Sequence, residues 1–472
     1  MTFATTIAAI STPPGKGGVA VIRISGPDAF GIGKRIFRPR GKRALESVAP
    51  RTQVWGDILW CGEEIDDGMF TYFKSPNSYT GEDIVEISCH GGVLITKKVL
   101  EAALIAGAVP ASGGEFTKRA FVNGKLSLTE TEAIGMLLEA QSDAQIKLSG
   151  LKSRSRLAEE IDAIRKEMTS LLGSVYARID YPDEDLGEFG DEESAEIISQ
   201  IISKLEKLIA TYRTGRAVND GIDTVICGKP NVGKSTLYNL LIGEDAAIVT
   251  DIPGTTRDVL ERKVPLGICL LRLFDTAGIR SGEVDAVEKI GIERSRSKLE
   301  SAELVFALFD SSRALDGEDE GVLDDIRKIG ATKIAIITKT DAHENAENAD
   351  KALSVLEKRL ENEGFAAILK VSAVRDGTSL ISELTRVVEE LFTDGRITLG
   401  DDAVVSSARA HAALVRALES LRTAYGAYEI GLPQDAVSSD VELAIGAISE
   451  VDGRAVSEEV VADIFSRFCV GK

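Results

Sequence analysis

Near the middle of the chain, Gly228-Lys-Pro-Asn-Val-Gly-Lys234-Ser235 has the residue types and spacing to hold a polyphosphate. Glycines let backbone amides close around phosphate oxygens, and a helix starting just beyond them adds partial positive charge. Lys234 can neutralise β and γ oxygens, and Ser235 can ligate magnesium. An apolar run at 224–227 precedes the motif and a helical pattern follows it, which is the context it requires. Asp275-Thr-Ala-Gly278 ends a second apolar run, where an aspartate can hold the magnesium shell and the Gly278 amide can sense a γ-phosphate. Lys339 and Asp341 follow a third run. The Asp341 carboxylate can accept from both the ring N1–H and the exocyclic amine of guanine, an arrangement adenine does not offer. Ser372-Ala373, at the end of the next run, offers a backbone amide to complete a base pocket. One position departs from the usual guanine motif: Thr338 stands where asparagine is common. A shorter side chain there could weaken affinity while leaving the Asp341 discrimination intact.

Hydrolysis needs a group that orients water, often a glutamine after Asp-x-x-Gly, but this chain has Ile279, which cannot hydrogen-bond through its side chain. Glu288 and Glu293 are the nearby carboxylates, and by spacing alone each reads as a solvated helix residue. Cys61, Cys89, Cys227, Cys269 and Cys469 are scattered, with no pair at metal-ligand spacing, and three histidines leave little for a histidine metal site. This cysteine usage fits a reducing compartment and no structural zinc.

The elements that must position these residues fall into distinct textures. From 7 to 119, strand-like runs (19–24, 84–88) alternate with glycine turns, and 93–106 reads as a helix, giving a small α/β unit. From 120 to 216 the period is helical, with amphipathic stretches at 129–148, 151–179 and 194–212 and an acidic connector at 183–193 that reads as loop and cap. Apolar runs at 224–227, 270–274, 304–309, 333–337 and 367–371 suit a parallel sheet covered on both faces. Helices return at 402–427, 435–449 and 457–468. The matching helical texture on either side predicts one helical domain interrupted by an inserted doubly wound domain. The expected boundaries are 1–119, 120–216, 217–392 and 393–472, and the expected class is α/β plus all-α.

With 472 residues the chain is too long for one core. Its 55 lysines and arginines against 75 aspartates and glutamates give a net charge of −20, which excludes nucleic-acid coating through a global field. Lys34, Arg35, Arg38, Arg40, Lys42, Arg43 and Arg51 do bunch, as a solvated face or a local RNA footprint. No apolar run is long enough to cross a bilayer and the start lacks a basic signal region, so the expected compartment is the cytoplasm.

Taken together the motifs resemble the MnmE (TrmE) family of tRNA-modification GTPases. The resemblance covers nearly the whole chain and rests on Thr12-Pro-Pro-Gly-Lys-Gly-Gly18, Arg23-Ile-Ser-Gly26, Tyr79-Thr-Gly-Glu-Asp83 and Gly114-Glu-Phe-Thr-Lys-Arg-Ala-Phe121. It rests further on Asp251-Ile-Pro-Gly-Thr-Thr-Arg-Asp258 and the terminal Cys469-Val-Gly-Lys472. It implies action on the tRNA wobble uridine together with a flavoprotein partner, MnmG (GidA), in a heterotetramer built on a homodimer. It implies a 5-formyltetrahydrofolate-type carrier at Arg23, Glu86 and Lys125, with Lys472 nearby; by themselves Glu86 reads as a strand residue and Lys125 as a surface lysine. It implies GTP contacts from Asn231, Val232, Gly233, Lys234, Ser235, Thr236, Thr250, Asp251, Ile252, Pro253, Gly254, Thr255 and Thr256. Further contacts fall to Asp275, Thr276, Ala277, Gly278, Thr338, Lys339, Asp341, Ser372 and Ala373. Potassium would be held by Asn231, Thr250, the Ile252 carbonyl and Thr255 as two G domains meet, and magnesium by Ser235 and Thr256. Glu288 matches the water-orienting glutamate, with Lys234 as the other catalytic group. Cys469 either serves catalysis or simply packs at an apolar helix end. A ribosome-assembly GTPase and a non-catalytic GTP-binding scaffold are the rival readings.

Overall fold

The computed structural model describes residues 4–41, 44–180, 191–243, 261–274, 299–340, 349–371, 377–432, 434–466 and 468–471. Thr250, Asp251, Ile252, Pro253, Gly254, Thr255, Thr256, Asp275, Thr276, Ala277, Gly278, Glu288, Asp341, Ser372, Ala373 and Lys472 lie outside the described residues, as do Ile279, Glu293 and most of the acidic connector.

The N-terminal part contains β1 (Ile7–Ile10), β2 (Gly17–Ser25), α1 (Ala29–Arg35), β3 (Phe37–Pro39), β4 (Gln53–Trp60), β5 (Glu63–Phe73), β6 (Ile84–Gly91), α2 (Val93–Ile105), β7 (Val109–Pro110) and α3 (Glu115–Val122). Its sheet runs β3-β4-β5-β6-β2-β1-β7, antiparallel except for the β1/β7 pair. Ile22, Ile24, Ile58, Val85, Ile87 and Val99 are fully buried on one face, where each large aliphatic contributes about 1.5–3 kcal/mol. The opposite face has its own small cluster of Ile7, Ala9, Ala111 and Phe116, with Tyr79 against it. The β4/β5 hairpin escaped the sequence reading. Its turn is Cys61-Gly62 with φ of 51° and 87°, a two-residue turn carrying positive φ at both positions without the usual Asn-Gly signal.

The helices that follow are α4 (Leu128–Glu139), α5 (Asp143–Ser149), α6 (Leu151–Asp180), α7 (Asp191–Ala210) and α8 (Tyr212–Asn219). The single helix expected over 129–148 is two. Ser142 caps α5 by accepting from the Gln145 amide at 3.2 Å, and the Gln145 side chain returns a bond to the Gln141 amide at 2.7 Å. In α6, Ile161, Ile164, Met168, Leu171 and Val175 are buried at alternating three- and four-residue steps, a narrow apolar seam.

Next come β8 (Ile222–Cys227), α9 (Lys234–Ile242), β9 (Glu261–Leu266), β10 (Cys269–Phe274), β11 (Leu304–Asp310), α10 (Gly317–Arg327), β12 (Thr332–Thr338), α11 (Ala349–Glu361), β13 (Ala367–Lys370) and α12 (Gly377–Phe392). Their sheet runs β13-β12-β11-β8-β10-β9 and is parallel except for β9, which pairs antiparallel with β10 at the edge. Every residue of β11 is buried, as a central strand covered on both faces requires. The chain ends with α13 (Ala408–Glu429), α14 (Gln434–Asp452) and α15 (Glu458–Ser466). The helix expected from 402 begins instead at Ala408, because Val404 and Val405 are buried outside any regular element and the Val405 amide donates to Thr211 Oγ1 at 3.0 Å.

The chain divides into two compact units, one of residues 1–138, 158–205 and 412–472 and one of 139–157 and 206–411. In the second, α8 touches the segment leaving the α/β sheet. The Asp394 amide donates to Thr214 Oγ1 at 2.9 Å, and a Cβ on Gly215 would lie 2.1 Å from the Val405 carbonyl. The class is therefore α/β plus all-α, with a doubly wound sheet between helical segments.

Candidate functional site

In the second unit, β8 has β11 on one side and β10 on the other, so chain order reverses at its C-terminal end, where open α/β sheets bind ligands. The loop from Gly228 to Gly233 sits there and α9 opens at Lys234. Its shape demands unusual backbone: Gly228, Asn231 and Gly233 have φ of 142°, 62° and 112°. A Cβ on Gly228 would meet the Leu308 carbonyl at 2.8 Å, so glycine is required there by space as well as conformation. Val232 is fully buried beneath the loop, while Asn231, Ser235 and Thr236 are exposed on its open side. The Lys234 ammonium donates to the Gly228 and Lys229 carbonyls at 2.6 and 2.8 Å, so it folds over the concavity that its loop encloses.

Thr338 ends β12 against this loop. Its hydroxyl, with one hydrogen, lies 2.8 Å from the Val232 carbonyl and 3.2 Å from the Phe309 carbonyl, and the shorter contact takes the proton. Lys339 follows in the left-handed region at φ 59° and donates to Asp310 Oδ2 at 2.6 Å. Burial would raise the Asp310 carboxyl, but hydrogen bonds from Lys339 and from Ser312 outweigh it and hold the group below the ordinary aspartate range. The structure thus gathers Asn231, Val232, Gly233, Lys234, Ser235, Thr236, Thr338 and Lys339 at one end of one sheet.

Sequence reasoning missed Asp310, Lys229, Asp316 and Asp319. Lys229 lies inside the motif, but its side chain is 2% exposed and its ammonium is bonded to carboxylates far along the chain. No local signal reveals such a pairing. Cys227, just before the loop, is held inert by desolvation, which pushes its thiol up to about 12.

The first unit gathers a second set. Arg23 on β2 stands directly across from Glu86 on β6, with Nε to Oε1 at 2.9 Å. Its guanidinium lies 5.5 and 5.7 Å from the Tyr79 and Phe116 ring centres. The three motifs around it are tied by Arg119, which is 1% exposed and donates to the Thr5 carbonyl at 2.7 Å, Glu82 at 3.2 Å and Glu115 at 2.9 Å. Glu82 in turn accepts from Ser25 at 2.8 Å. Lys125 is exposed and donates to the Pro76 carbonyl at 3.1 Å, apart from the Arg23–Glu86 pair in its bonding. The C-terminal tail is pinned nearby. Val470 bridges Gly113, the Gly114 amide donates to the Cys469 carbonyl at 3.3 Å, and Ser11 Oγ donates to the Gly471 carbonyl at 3.1 Å. The Cys469 side chain is exposed. A half-buried carboxylate and guanidinium flanked by two rings fit a flat heterocycle with a donor edge and an acidic tail.

The early basic run is matched by acids: Lys34 with Glu46, Arg35 with Asp28, Arg38 with Asp57 and Glu64, and Arg40 with Asp57. That pairing supports a solvated face over an RNA footprint; Lys42 and Arg43 lie outside the described residues.

A family model described as "GTP-binding protein TrmE N-terminus" matches residues 6–125, and one described as "MnmE helical domain" matches residues 128–469. The chain belongs to the MnmE (TrmE) family. It is 39% identical to the tRNA modification GTPase MnmE of Thermotoga maritima, over 99% of this chain and 100% of that protein. It is 37% identical to the tRNA modification GTPase MnmE of Clostridioides difficile, over 99% of each. Among solved structures it is similar to Era in complex with MgGDPNP and a 16S ribosomal RNA segment, at 24% identity, covering 42% of this chain and 65% of that one, TM-score 0.28. The loop at 228–235 carries the spacing expected of a phosphate-binding loop. No helix among the described residues is long and apolar enough to cross a membrane.

Proposed function

We propose that this chain is a GTP hydrolase of tRNA modification, activated by potassium, that works with the flavoprotein MnmG to install the (carboxymethyl)aminomethyl group at C5 of wobble uridine 34. The observation that carries the reading is the phosphate loop: positive-φ backbone, a helix opening behind it and Lys234 turned over its concavity, at the sheet's point of reversed order. In this reading Lys234 leaves the Gly228 and Lys229 carbonyls for β and γ phosphate oxygens, which bind an ammonium more strongly than neutral carbonyls do. Ser235 and Thr256 would hold magnesium, which supplies charge neutralisation at the phosphates. Asn231, Thr250, the Ile252 carbonyl and Thr255 would hold potassium, which supplies positive charge where other GTPases use an arginine finger. Glu288 orients the attacking water, the task Ile279 cannot perform. Asp341 selects guanine, with the Ser372 and Ala373 backbone closing the pocket. Residues 217–392 form the G domain that closes against a second copy, 120–216 and 393–472 the helical domain, and 1–119 the dimerising domain.

Arg23, Glu86, Lys125 and Lys472 would hold a 5-formyltetrahydrofolate-type carrier, which supplies a one-carbon unit. Glu86 can accept from a pterin's donor edge, and the cations can meet its carboxylates. The reading is tested by analysing wobble uridines from cells lacking this chain, with and without a plasmid copy. Unmodified uridine 34, restored by the plasmid, is the expected result; intact modification in the deletion would refute it and favour a ribosome-assembly role.

A further inference from the structure

The phosphate loop is held from three directions. From β11, the Leu308 carbonyl faces Gly228; from β12, Thr338 donates to the Val232 carbonyl at 2.8 Å. The third hold is Lys229, whose side chain turns away from the concavity and is only 2% exposed. It donates to Asp316 Oδ2 at 2.7 Å and to Asp319 Oδ2, and Asp319 is itself only 3% exposed. Those two carboxylates form the capping box of α10. Asp316 accepts from the Glu318 and Asp319 amides at 3.0 and 3.2 Å, and Asp319 accepts from the Asp316 amide at 3.1 Å. One cation is thus matched by two carboxylates that a helix start already fixes in place.

We propose that Lys229 is a positioning residue: its pairing with the buried Asp319 and the half-exposed Asp316 clamps the phosphate loop to the start of α10 and keeps it formed for nucleotide. The main-chain carbonyl of this same residue accepts from Lys234 at 2.8 Å, so the clamp fixes the oxygen from which Lys234 must depart. A loop with three positive-φ residues in six has little intrinsic preference for this shape. Unclamped, it would have to be ordered each time nucleotide binds, and ordering even one residue is enough to weaken affinity about tenfold. Phosphate chemistry itself does not involve the clamp, so the loss belongs in binding rather than turnover. Stability is a poor readout, because removing one partner of a buried ion pair strands the other and is destabilising whatever the role of the pair.

This inference rests on the GTPase reading. The test compares the full chain with Lys229→Met, Asp319→Asn and the double variant, measuring release of a fluorescent N-methylanthraniloyl GDP and the KM and kcat of phosphate release. Lys229→Met is expected to release GDP about tenfold faster and to raise KM about tenfold, and Asp319→Asn to do both about threefold, each with kcat within twofold. The double variant should be no worse than the weaker single, since both remove one interaction. Folded variants with wild-type release and KM, or a loss confined to kcat, would overturn the clamp. If Lys229→Met does not fold, Asp319→Asn decides, because Lys229 keeps Asp316 as partner and the shift should be in the same direction, about threefold. A wild-type chain that binds no guanine nucleotide would instead overturn the GTPase reading beneath it.

Discussion

At the scale of single residues, Thr338 shows how a side chain that looks like a weaker version of a common one can have a different task. Its one hydrogen goes to the Val232 carbonyl, so it ties the end of β12 to the loop before α9 and leaves none to donate to a base placed there. Thr338→Val keeps the shape and strands a buried carbonyl, at a cost of about 1–3 kcal/mol. That cost falls on folding with or without nucleotide, while the loosened hold on the loop should lower GDP affinity roughly fivefold for each 1 kcal/mol of ordering that nucleotide must then supply. The ratio of GTP to 7-deaza-GTP binding, measured by titration, should stay near one in both proteins. A wild-type preference for GTP that disappears in the valine variant would return Thr338 to the base. The motif and its Lys234 were legible because their chemistry is local in sequence. The Lys229 partners were not, since Asp316 and Asp319 are brought to it only by the β11–α10 crossover.

Among elements, α8 carries the join between the helical segments and the inserted sheet. Arg216 grips Glu303 at the start of β11 with two bonds of 2.5 and 2.6 Å, and Gly215 lets the helix lie directly on the Val405 carbonyl. Two effects oppose each other in Gly215→Ala. Helix propensity gains up to about 1 kcal/mol, while overpacking against fixed backbone costs about 1–3 kcal/mol. With a Cβ only 2.1 Å from the oxygen, the clash should win, and the variant should melt lower than wild type in a thermal scan. A higher melting temperature would mean that α8 can lift from this segment without loss. The same contact explains why sequence patterning began the next helix too early. Val404 and Val405 fit a helical period, but their burial outside any regular element is set by Thr211 and Gly215, which lie far back along the chain. The Ser142 break was readable from its cap chemistry, yet the apolar period continued across it.

For the whole molecule, an acidic chain of net charge −20 places many carboxylates beside cations. Asp162, Asp316 and Asp394 are each held down at about 2, first by hydrogen bonds from Lys166, Lys229 and Arg396 respectively. Because their folded values lie below the unfolded value, their stabilisation is present above about pH 4 and is lost as pH falls towards 2. The melting difference between wild type and Asp162→Asn should thus be largest at neutral pH and vanish near pH 2; a constant difference would remove the pairing account. The proposed closure of two G domains across potassium would likewise be a property of the assembled molecule. Phosphate release should fall sharply when sodium replaces potassium, and equal rates in the two salts would sink the cation account. By itself the sequence determined the texture of each segment, the phosphate motif and the family, since period and local chemistry are written in neighbouring residues. Only the tertiary structure decided the strand order that puts Gly228 at the reversal, the Arg23–Glu86 pair, the tail laid against Ser11 and the clamp on Lys229. Each of these joins groups whose separation along the chain leaves no local trace, and burial makes their energies depend on which partners the fold delivers.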